Sequence, residues 1–356
     1  MKILELNLER GWRGGERQTL WTMARLRERG CEVGLLARTG EPLAQRARAE
    51  GFEVHTCASG PAAAFAVAAH ARRFDVLHAQ TAGSLTWAVL LRALHRRPIV
   101  ATRRVAFDIT RRSTLLKYRR TDRLAAISQA AAAPLRANGM TDIAIIPSAV
   151  QTPTADPARI AAFVARHNLA GKHIIGTVAA LTSEKDPELL VDAMAQVNTP
   201  NTVLVHFGQG ELSESIAKRI AQRRLQGRYL LVGFESQVEQ LYPMMHAFVL
   251  SSRQEGLGSS ALDAFLARVP VASTAAGGLS EALADGRGLL SPVGDAHALA
   301  VNIERLLSDR DDAAVARQAQ IECAWQWVQK TCSVSAMGDA YLALFEDLLR
   351  EKTHPT

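Results

Sequence analysis

The chain has 356 residues and a formal net charge of +7, with 48% hydrophobic and 22% charged residues. This length exceeds one ordinary hydrophobic core, so two domains are expected, and the composition excludes an intrinsically disordered chain. No apolar run reaches the roughly 20 residues that a membrane helix needs, and the first residues lack a signal-peptide pattern. The four cysteines have no C-x-x-C spacing, which indicates reduced thiols in a cytoplasmic protein and excludes a disulfide framework or a zinc site.

The first 150 residues alternate short apolar runs with helical segments. Strands are predicted at residues 3–8, 33–37, 76–80, 99–102 and 124–127, and helices at residues 18–29 and 84–95. This alternation predicts a parallel sheet with helices on both faces.

The pattern breaks at residues 151–157, which contain two prolines and no apolar run and are predicted to be a linker. It then resumes, with strands predicted at residues 173–180, 202–207, 229–234, 248–250 and 271–274 and helices at residues 187–197 and 211–224. We therefore expect two doubly wound, Rossmann-like α/β domains, residues 1–150 and 158–332, that face a central cleft and bind ligands at the carboxyl ends of their strands. A last helix, within residues 333–356, is expected to pack back on the first domain.

The most informative segment follows the strand at residues 248–250. Glu255 precedes the turn Gly256-Leu257-Gly258, and Asp263 lies eight residues after Glu255 in a helix that Ser259 and Ser260 open. The glycines allow close approach of a ligand, and the free amides at the helix start suit phosphate groups, whereas the two acids suit sugar hydroxyls. Ser260 is predicted as the N-cap, and the local alternative for Asp263 is a capping box with Ser260.

Further turns follow other predicted strands, where free amides can hold an anion. One glycine pair is weak evidence, but several at corresponding strand ends of both halves indicate a phosphorylated ligand. The residues concerned are Gly14 and Gly15, Lys185, Gly208 and Gly210, and Gly277 and Gly278 with Glu281.

This constellation resembles the retaining glycosyltransferases of family four, which have the GT-B architecture, over nearly the whole chain. Its most specific part is the E-x7-E motif, seen as Glu255 and Asp263. The resemblance implies that Glu255 contacts hydroxyls of the transferred sugar, that Asp263 holds the nucleotide ribose, and that Lys185 neutralises the donor diphosphate. It also implies donor contacts at Gly14, Gly15, Gly208, Gly233, Gly256, Leu257, Gly258 and Ser259.

The implied activity is transfer of a sugar from a nucleotide-diphosphate sugar to a glycan or glycolipid, as in lipopolysaccharide or cell-surface polysaccharide assembly. No cofactor and no metal are expected, and the D-x-D pattern at residues 309–311 is interpreted as helix ends. Five residues are predicted to contact the acceptor or to support the residues that contact a substrate: His78, Arg103, Arg104, Asp108 and Glu281. The alternative for His78 is a packed structural residue, and for Asp108 an ion pair with a nearby arginine.

Three departures from the family pattern stand out. Asp263 is one methylene shorter than the usual glutamate, and Ala180 stands where the family often has an arginine. The family's common histidine after an N-terminal strand is replaced by Ala101-Thr102-Arg103-Arg104.

Cations are concentrated in the first 150 residues, which hold 24 Lys and Arg against 12 Asp and Glu, whereas the other 206 residues hold 18 against 23. Many are arginines between Arg92 and Arg123. This predicts an anionic acceptor, or peripheral contact with the anionic cytoplasmic face of an inner membrane, and the alternative is a set of well-solvated helices.

Other functions are less well supported by the residues. A nucleotide-sugar 2-epimerase would need acid and base residues around the sugar, and few histidines are available. Nucleic-acid binding is not expected because the basic segment has few aromatic residues, only Phe107 and Tyr118. A Rossmann dehydrogenase would need G-x-G-x-x-G after the first strand, and this motif is missing there.

Overall fold

The computed structural model describes residues 1–152 and 156–353. The chain forms two compact units: unit 1 contains residues 1–149 together with the C-terminal segment from Cys332, and unit 2 contains residues 150–331. Residues 153–155 of the predicted linker, and residues 354–356 of the predicted last helix, lie outside the described residues. The predicted boundaries differ slightly, because residues 150–152 belong to unit 2 and Cys332 belongs to unit 1.

Unit 1 contains a seven-stranded parallel sheet with the strand order β3-β2-β1-β4-β5-β6-β7. Its strands are β1 (Lys2–Asn7), β2 (Glu32–Arg38), β3 (Glu53–Cys57), β4 (Val76–Ala79), β5 (Ile99–Arg103), β6 (Arg123–Ala126) and β7 (Ile143–Ile145). The helices are α1 (Gly14–Glu28), α2 (Pro42–Ala49), α3 (Pro61–His70), α4 (Ala82–Leu90), α5 (Arg92–His95), α6 (Arg112–Arg119) and α7 (Gln129–Arg136).

Unit 2 contains a six-stranded parallel sheet with the order β10-β9-β8-β11-β12-β13. Its strands are β8 (His173–Val178), β9 (Thr202–Phe207), β10 (Tyr229–Gly233), β11 (Ala247–Leu250), β12 (Val271–Thr274) and β13 (Leu289–Ser291). The helices are α8 (Pro157–Arg166), α9 (Pro187–Met194), α10 (Ser213–Gln222), α11 (Ser259–Leu266), α12 (Gly278–Ala282), α13 (Ala296–Leu307) and α14 (Asp311–Thr331).

These two sheets confirm the predicted α/β class and the doubly wound order. Central strands are buried on both faces, which is why they read as apolar runs in the sequence. The three strands that the sequence did not predict, β3, β7 and β13, each lie at the edge of a sheet. An edge strand needs fewer apolar residues, as the sequence Glu53-Val54-His55-Thr56-Cys57 of β3 illustrates.

The four predicted helices all differ from the observed bounds, those of unit 2 by two or three residues at their ends and those of unit 1 by more. The helix predicted at residues 18–29 begins earlier, so that Gly14 and Gly15 are its first two residues. The helix predicted at residues 84–95 is divided into α4 and α5 at Leu91. Among the helices of the described chain, none is both long enough and apolar enough to cross a bilayer.

The last helix, α15 (Val334–Thr353), packs inside unit 1 against α1. Four of its side chains, Met337, Tyr341, Phe345 and Leu348, are at most 2% exposed and belong to the core that includes Ile3, Val76 and Val100. At the surface of this contact, Arg25 Nε lies 2.9 Å from Asp339 Oδ1. The core of unit 1 is therefore completed by residues almost 200 positions away from the end of its sheet.

We expect Phe345→Ala to lower the free energy of unfolding of unit 1 by about 3–5 kcal/mol, because it removes a fully buried ring from the core. The matched control is Phe65→Ala, at a ring that is 79% exposed. Chemical denaturation of the purified variants, followed by circular dichroism, measures the difference. Equal stability of the two variants would contradict the contribution of α15 to the core.

Candidate functional site

Lys185 and Glu255 come together at the carboxyl-terminal edge of the unit 2 sheet. Lys185 ends a short 3-10 turn after β8, and Glu255 lies five residues after β11, the strand that pairs with β8 in parallel. Lys185 Nζ donates a hydrogen bond to Glu255 Oε2. The side chains are 24% and 15% exposed, so a ligand can reach both. The structure thus joins the two residues that the sequence assigned to the reaction.

A second ion pair lies beside the first and was not predicted. Arg253 Nε donates to Asp186 Oδ2 at 2.7 Å, and the Asp186 carboxylate also caps α9 through the amide of Leu189. Asp186 is only 4% exposed, whereas the Arg253 side chain is 62% exposed. The sequence signal that was missed is a pair of opposite charges next to the two predicted site residues.

Hydrogen bonds to backbone carbonyls connect the turn that ends at Lys185 with the loop that contains Glu255. The Arg253 amide donates to the Glu184 carbonyl at 2.8 Å. The Ser251 hydroxyl is 3.0 Å from the Lys185 carbonyl and 2.9 Å from that of Asp186. The two ion pairs therefore belong to one rigid connection between neighbouring loops.

The glycine turns of unit 2 allow neighbouring loops to touch. A Cβ on Gly277 would lie 2.3 Å from the Glu255 carbonyl oxygen, and one on Gly278 would lie 2.2 Å from that of Gly256. The Gly278 amide donates to the Glu255 carbonyl at 3.0 Å. These two glycines are needed because the loop after β12 supports the backbone on both sides of Gly256.

Gly208 and Gly210 act in the same way after β9. A Cβ on Gly208 would lie 1.9 Å from the Ala179 carbonyl oxygen, and one on Gly210 would lie 2.2 Å from that of Leu181. His206 Nε2 lies 3.0 Å from the same Ala179 oxygen, and burial lowers the pKa of His206 to about 4. A neutral, buried histidine thus holds this loop in place, and its only signal in the sequence is a histidine within an apolar strand.

The start of α11 differs from the prediction. The helix begins at Ser259 and Gly258 is its N-cap, with φ of +81°. Ser260 is therefore the second helical residue, and the predicted N-cap at Ser260 and the capping box with Asp263 are wrong. The Ala261 amide donates to the Gly258 carbonyl at 2.9 Å, so the amides that α11 can offer to a ligand are those of the two preceding residues, Ser259 and Ser260.

The other predicted residues of this loop differ in exposure. Leu257 is 5% exposed, so only its backbone is available to a ligand. Gly256, Ser259, Asp263 and Glu281 are half-buried. Gly233 has φ of +78° and lies beside Gln209. Their predicted contacts with a donor stay predictions.

In unit 1, Gly14 and Gly15 form the first turn of α1, after the N-cap Arg13. The buried carboxylate of Glu16 accepts a hydrogen bond from the Arg13 amide at 2.9 Å and fixes this turn. The Arg104 side chain lies above the turn, with its Cδ 4.0 Å from the position of a Cβ on Gly15. The start of α1 thus combines free amides with a neighbouring guanidinium.

His78 is completely buried in a polar network. Its Nδ1 lies 2.9 Å from Glu5 Oε1 and its Nε2 lies 2.8 Å from Thr102 Oγ1, which is 3.0 Å from the Tyr341 hydroxyl. Tyr341 and Phe345 of α15 cover the imidazole ring. Direct contact of His78 with a sugar or acceptor is therefore wrong for this structure, and the structural alternative holds.

The same network reaches Arg104. Gln80 Nε2 donates to Glu5 Oε2 at 2.9 Å, and Gln80 Oε1 accepts from Arg104 Nη2 at 2.6 Å. Arg104 Nη1 also lies 3.3 Å from Ser148 Oγ. Arg104 is half-buried and is therefore held at a fixed place beside the first turn of α1.

Of two further predicted acceptor residues, Arg103 requires correction and Asp108 stays a prediction. Arg103 is 5% exposed and its guanidinium donates to the Phe107 carbonyl, so it holds the loop after β5 and offers no surface for an acceptor. Asp108 is exposed, and the ion pair proposed for it as an alternative is not formed with any residue that the structure describes. Its predicted contact with an acceptor is untested.

The D-x-D pattern at residues 309–311 coincides with a helix boundary. Asp311 begins α14, and Arg310 Nε lies 3.2 Å from Asp312 Oδ1. Within the described ranges no group of three or more histidine, cysteine or acidic side chains could hold a metal ion.

We expect Gly278→Ala to destabilise unit 2 by about 1–3 kcal/mol, because the added methyl overlaps the backbone of Gly256 and Leu257. Gly83→Ala is the control, since its Cβ would meet nothing closer than 3.9 Å and alanine suits a helix. Thermal unfolding of both variants measures the effect. A midpoint for Gly278→Ala at or above that of the control would contradict this tight loop contact.

Both units of the chain match known families of glycosyltransferases. The family model "Glycosyltransferase Family 4" matches residues 12–153, and "Glycosyl transferases group 1" matches residues 161–322. The lipopolysaccharide core biosynthesis glycosyltransferase LpsE of Rhizobium meliloti is 27% identical over 172 residues, 48% of this chain and 49% of that protein. The Vi polysaccharide biosynthesis protein VipC/TviE of Salmonella typhi is 35% identical over 114 residues, 32% of this chain and 20% of that protein. These matches therefore span half or less of each relative.

Solved structures share the fold over the whole chain. HepE of Anabaena in complex with UDP has a TM-score of 0.86 at 20% identity, covering 98% of this chain and 100% of that chain. A glycosyltransferase from Rickettsia africae ESF-5 has a TM-score of 0.86 at 18% identity, with 98% of each chain covered. A glycosyltransferase family model matches most of unit 1, and a second glycosyltransferase family model matches most of unit 2. The chain therefore belongs to glycosyltransferase family four and has the GT-B architecture.

Proposed function

We propose that this chain is a retaining glycosyltransferase that moves a sugar from a nucleotide-diphosphate sugar to a glycan or glycolipid acceptor in lipopolysaccharide or cell-surface polysaccharide assembly. The observation that carries the proposal is the contact between Lys185 and Glu255 at the carboxyl-terminal edge of the unit 2 sheet. It supplies a cation for a diphosphate and a carboxylate for sugar hydroxyls at neighbouring positions. The first turn of α11, which starts four residues after Glu255, offers amides to the same anion.

The chemistry needs charge stabilisation more than a dedicated base. Cleavage of the glycosyl–phosphate bond develops positive charge on the sugar and negative charge on the departing diphosphate. Lys185 and the α11 amides stabilise the departing anion, in the manner of an oxyanion hole. The acceptor oxygen bonds to the anomeric carbon on the face that the phosphate leaves, and its proton passes to the leaving phosphate oxygen.

Donor binding requires an exchange of partners at Lys185. A diphosphate competes with Glu255 for the Lys185 ammonium, and a Glu255 carboxylate that is released in this way can accept hydrogen bonds from the sugar. The same event therefore provides the phosphate contact and the sugar contact. Arg253 is held by the buried Asp186 and does not take part in the exchange.

Uridine nucleotides are the first donors to test, because HepE of Anabaena was solved with UDP and with UDP-glucose. Relatives named for lipopolysaccharide core biosynthesis support a saccharide acceptor. The positive charge of the first 150 residues supports an anionic acceptor and peripheral contact with the anionic face of an inner membrane.

We expect UDP to raise the thermal midpoint of the wild-type chain, since a ligand at a hundred times its dissociation constant adds about 2.7 kcal/mol to the native state. Lys185→Ala should abolish the shift because the phosphate loses its cation. Glu255→Gln should keep the shift with UDP but lose the additional shift that a UDP-sugar gives, because only the carboxylate contact with the sugar is weakened.

The matched controls are Lys218→Ala and Glu214→Gln, which change another lysine–glutamate pair of unit 2, at side chains 68% and 82% exposed. Both should respond to UDP and UDP-sugars as the wild type does. A shift in Lys185→Ala as large as in the control would contradict the phosphate site. If UDP does not stabilise the wild type and a guanosine, adenosine or cytidine diphosphate does, the donor carries the base of the nucleotide that stabilises it.

We expect retention of the anomeric configuration, because the proposed attack and departure share one face of the sugar. Proton NMR of the slow hydrolysis of the stabilising nucleotide sugar, with water as acceptor, identifies the first-formed anomer. The α anomer from an α-linked donor agrees with retention, and the β anomer contradicts it. A sugar inverted at C2 would instead support the 2-epimerase alternative.

A further inference from the structure

A groove of about 810 Å³ in unit 1 is lined by a concentrated set of cations. We call it the amino-edge groove, and its cations are Arg92, Arg96, Arg97, Arg119, Arg120 and Lys352. They come from α5 and the turn after it, from the end of α6, and from the end of α15.

The groove lies at the opposite edge of the sheet from the candidate site residues of unit 1. Arg96 and Arg97 precede β5, and Arg119 and Arg120 precede β6, so they stand at the amino ends of these strands. Arg104 follows β5 and stands at the carboxyl end, beside the start of α1. The arginine-rich segment of the sequence is therefore divided between two edges of one parallel sheet, and the groove is separate from the start of α1.

The positive charge of the groove is largely uncompensated. Arg92 Nη2 and Lys352 Nζ each lie 2.7 Å from Asp122 Oδ1. The other four arginines contact no carboxylate in the part of the chain that the structure describes. Arg97 and Arg119 donate to the backbone carbonyls of Arg72 and Asn138, which neutralise no charge.

Exposed leucines border the cations. Leu90 at the end of α4 is 64% exposed and Leu94 in α5 is 44% exposed. Arginines beside exposed leucines are typical of surfaces that lie in the interface of an anionic bilayer. Among the residues lining the groove there is no aromatic side chain on which a base could stack, which disfavours single-stranded nucleic acid.

We propose that the amino-edge groove docks unit 1 on a bilayer by binding the phosphate headgroups of anionic lipids, with Leu90 and Leu94 entering the headgroup region. This inference rests on the proposed membrane contact of the enzyme and assigns it to particular residues. The sequence predicted membrane contact from the arginines between Arg92 and Arg123 as a whole. The docking surface proposed here leaves out Arg103, Arg104, Arg111 and Arg112. Arg104 and the start of α1, at the carboxyl edge of the unit 1 sheet, are not part of this docking surface.

The test is co-sedimentation of the full chain with vesicles of phosphatidylcholine alone and of phosphatidylcholine mixed with phosphatidylglycerol. Wild type is expected to bind only the mixed vesicles, and less well at high salt. The groove variant carries Arg96→Gln, Arg97→Gln, Arg119→Gln and Arg120→Gln. Its partitioning should fall at least about ten-fold, since each cation near an anionic surface contributes substantially to binding.

The matched control removes the same net charge at four exposed arginines elsewhere, through Arg48→Gln, Arg136→Gln, Arg166→Gln and Arg224→Gln. It should bind the mixed vesicles as the wild type does. A second variant, with Leu90→Ser and Leu94→Ser, should also bind less tightly while it keeps every cation.

Equal losses in the groove variant and in the control would overturn the proposal, because binding would then follow net charge alone. So would wild-type binding to an anionic glycan or oligonucleotide through these arginines without binding to vesicles. The thermal shift with UDP is measured on every variant. If the groove variant keeps that shift and loses vesicle binding, docking and donor binding are separate, whereas a wild type that binds vesicles but no nucleotide contradicts the proposed function alone.

Discussion

The parallel alignment of the strands is the constraint on which the functional surfaces of this protein depend. In a parallel sheet every strand ends at the same edge, so loops that are distant in the sequence become neighbours. Lys185 and Glu255 are 70 residues apart and touch because β8 and β11 are adjacent in the sheet. In unit 1, considered by itself, the same rule places the loops before the strands at the amino edge of that unit's own sheet, where the arginines of the amino-edge groove lie. In each unit, therefore, the direction of the strands decides which loops become neighbours.

A second constraint is the buried carboxylate of Glu5. A buried polar group needs hydrogen-bond partners, and Glu5 contacts His78 and Gln80. The network extends to Tyr341 in α15 on one side and to Arg104 on the other. Residues from the two ends of the chain thus fix the position of a guanidinium at the start of α1. This explains why buried polar residues occupy otherwise apolar strands.

The sequence predicted the central strands, the fold class and the convergence of Lys185 with Glu255, because buried parallel strands and glycine-rich strand ends leave strong local patterns. It did not predict β3, β7 and β13, because β3 alternates polar and apolar residues and β7 and β13 have only three residues each. It also misassigned Ser260, because a glycine N-cap with positive φ at Gly258 leaves no polar capping signature. The sequence offered a packed structural role for His78 but not its partners, since Glu5, Thr102 and Tyr341 come from distant segments. Arg103 is held by the nearby Phe107 carbonyl, a loop contact that has no sequence pattern.

The two ion pairs next to each other in unit 2 have different capacities for change. Lys185 and Glu255 are both partly exposed, and neither caps a helix, so a more strongly charged ligand can replace their contact without leaving a fully buried charge at a helix start. Asp186 is buried and caps α9, so removing its partner Arg253 would leave a desolvated charge at a helix start. Of the cations in these two ion pairs, Lys185 is therefore the one that can leave its carboxylate for a phosphate. Arg253 keeps the loop in place when Lys185 changes its partner.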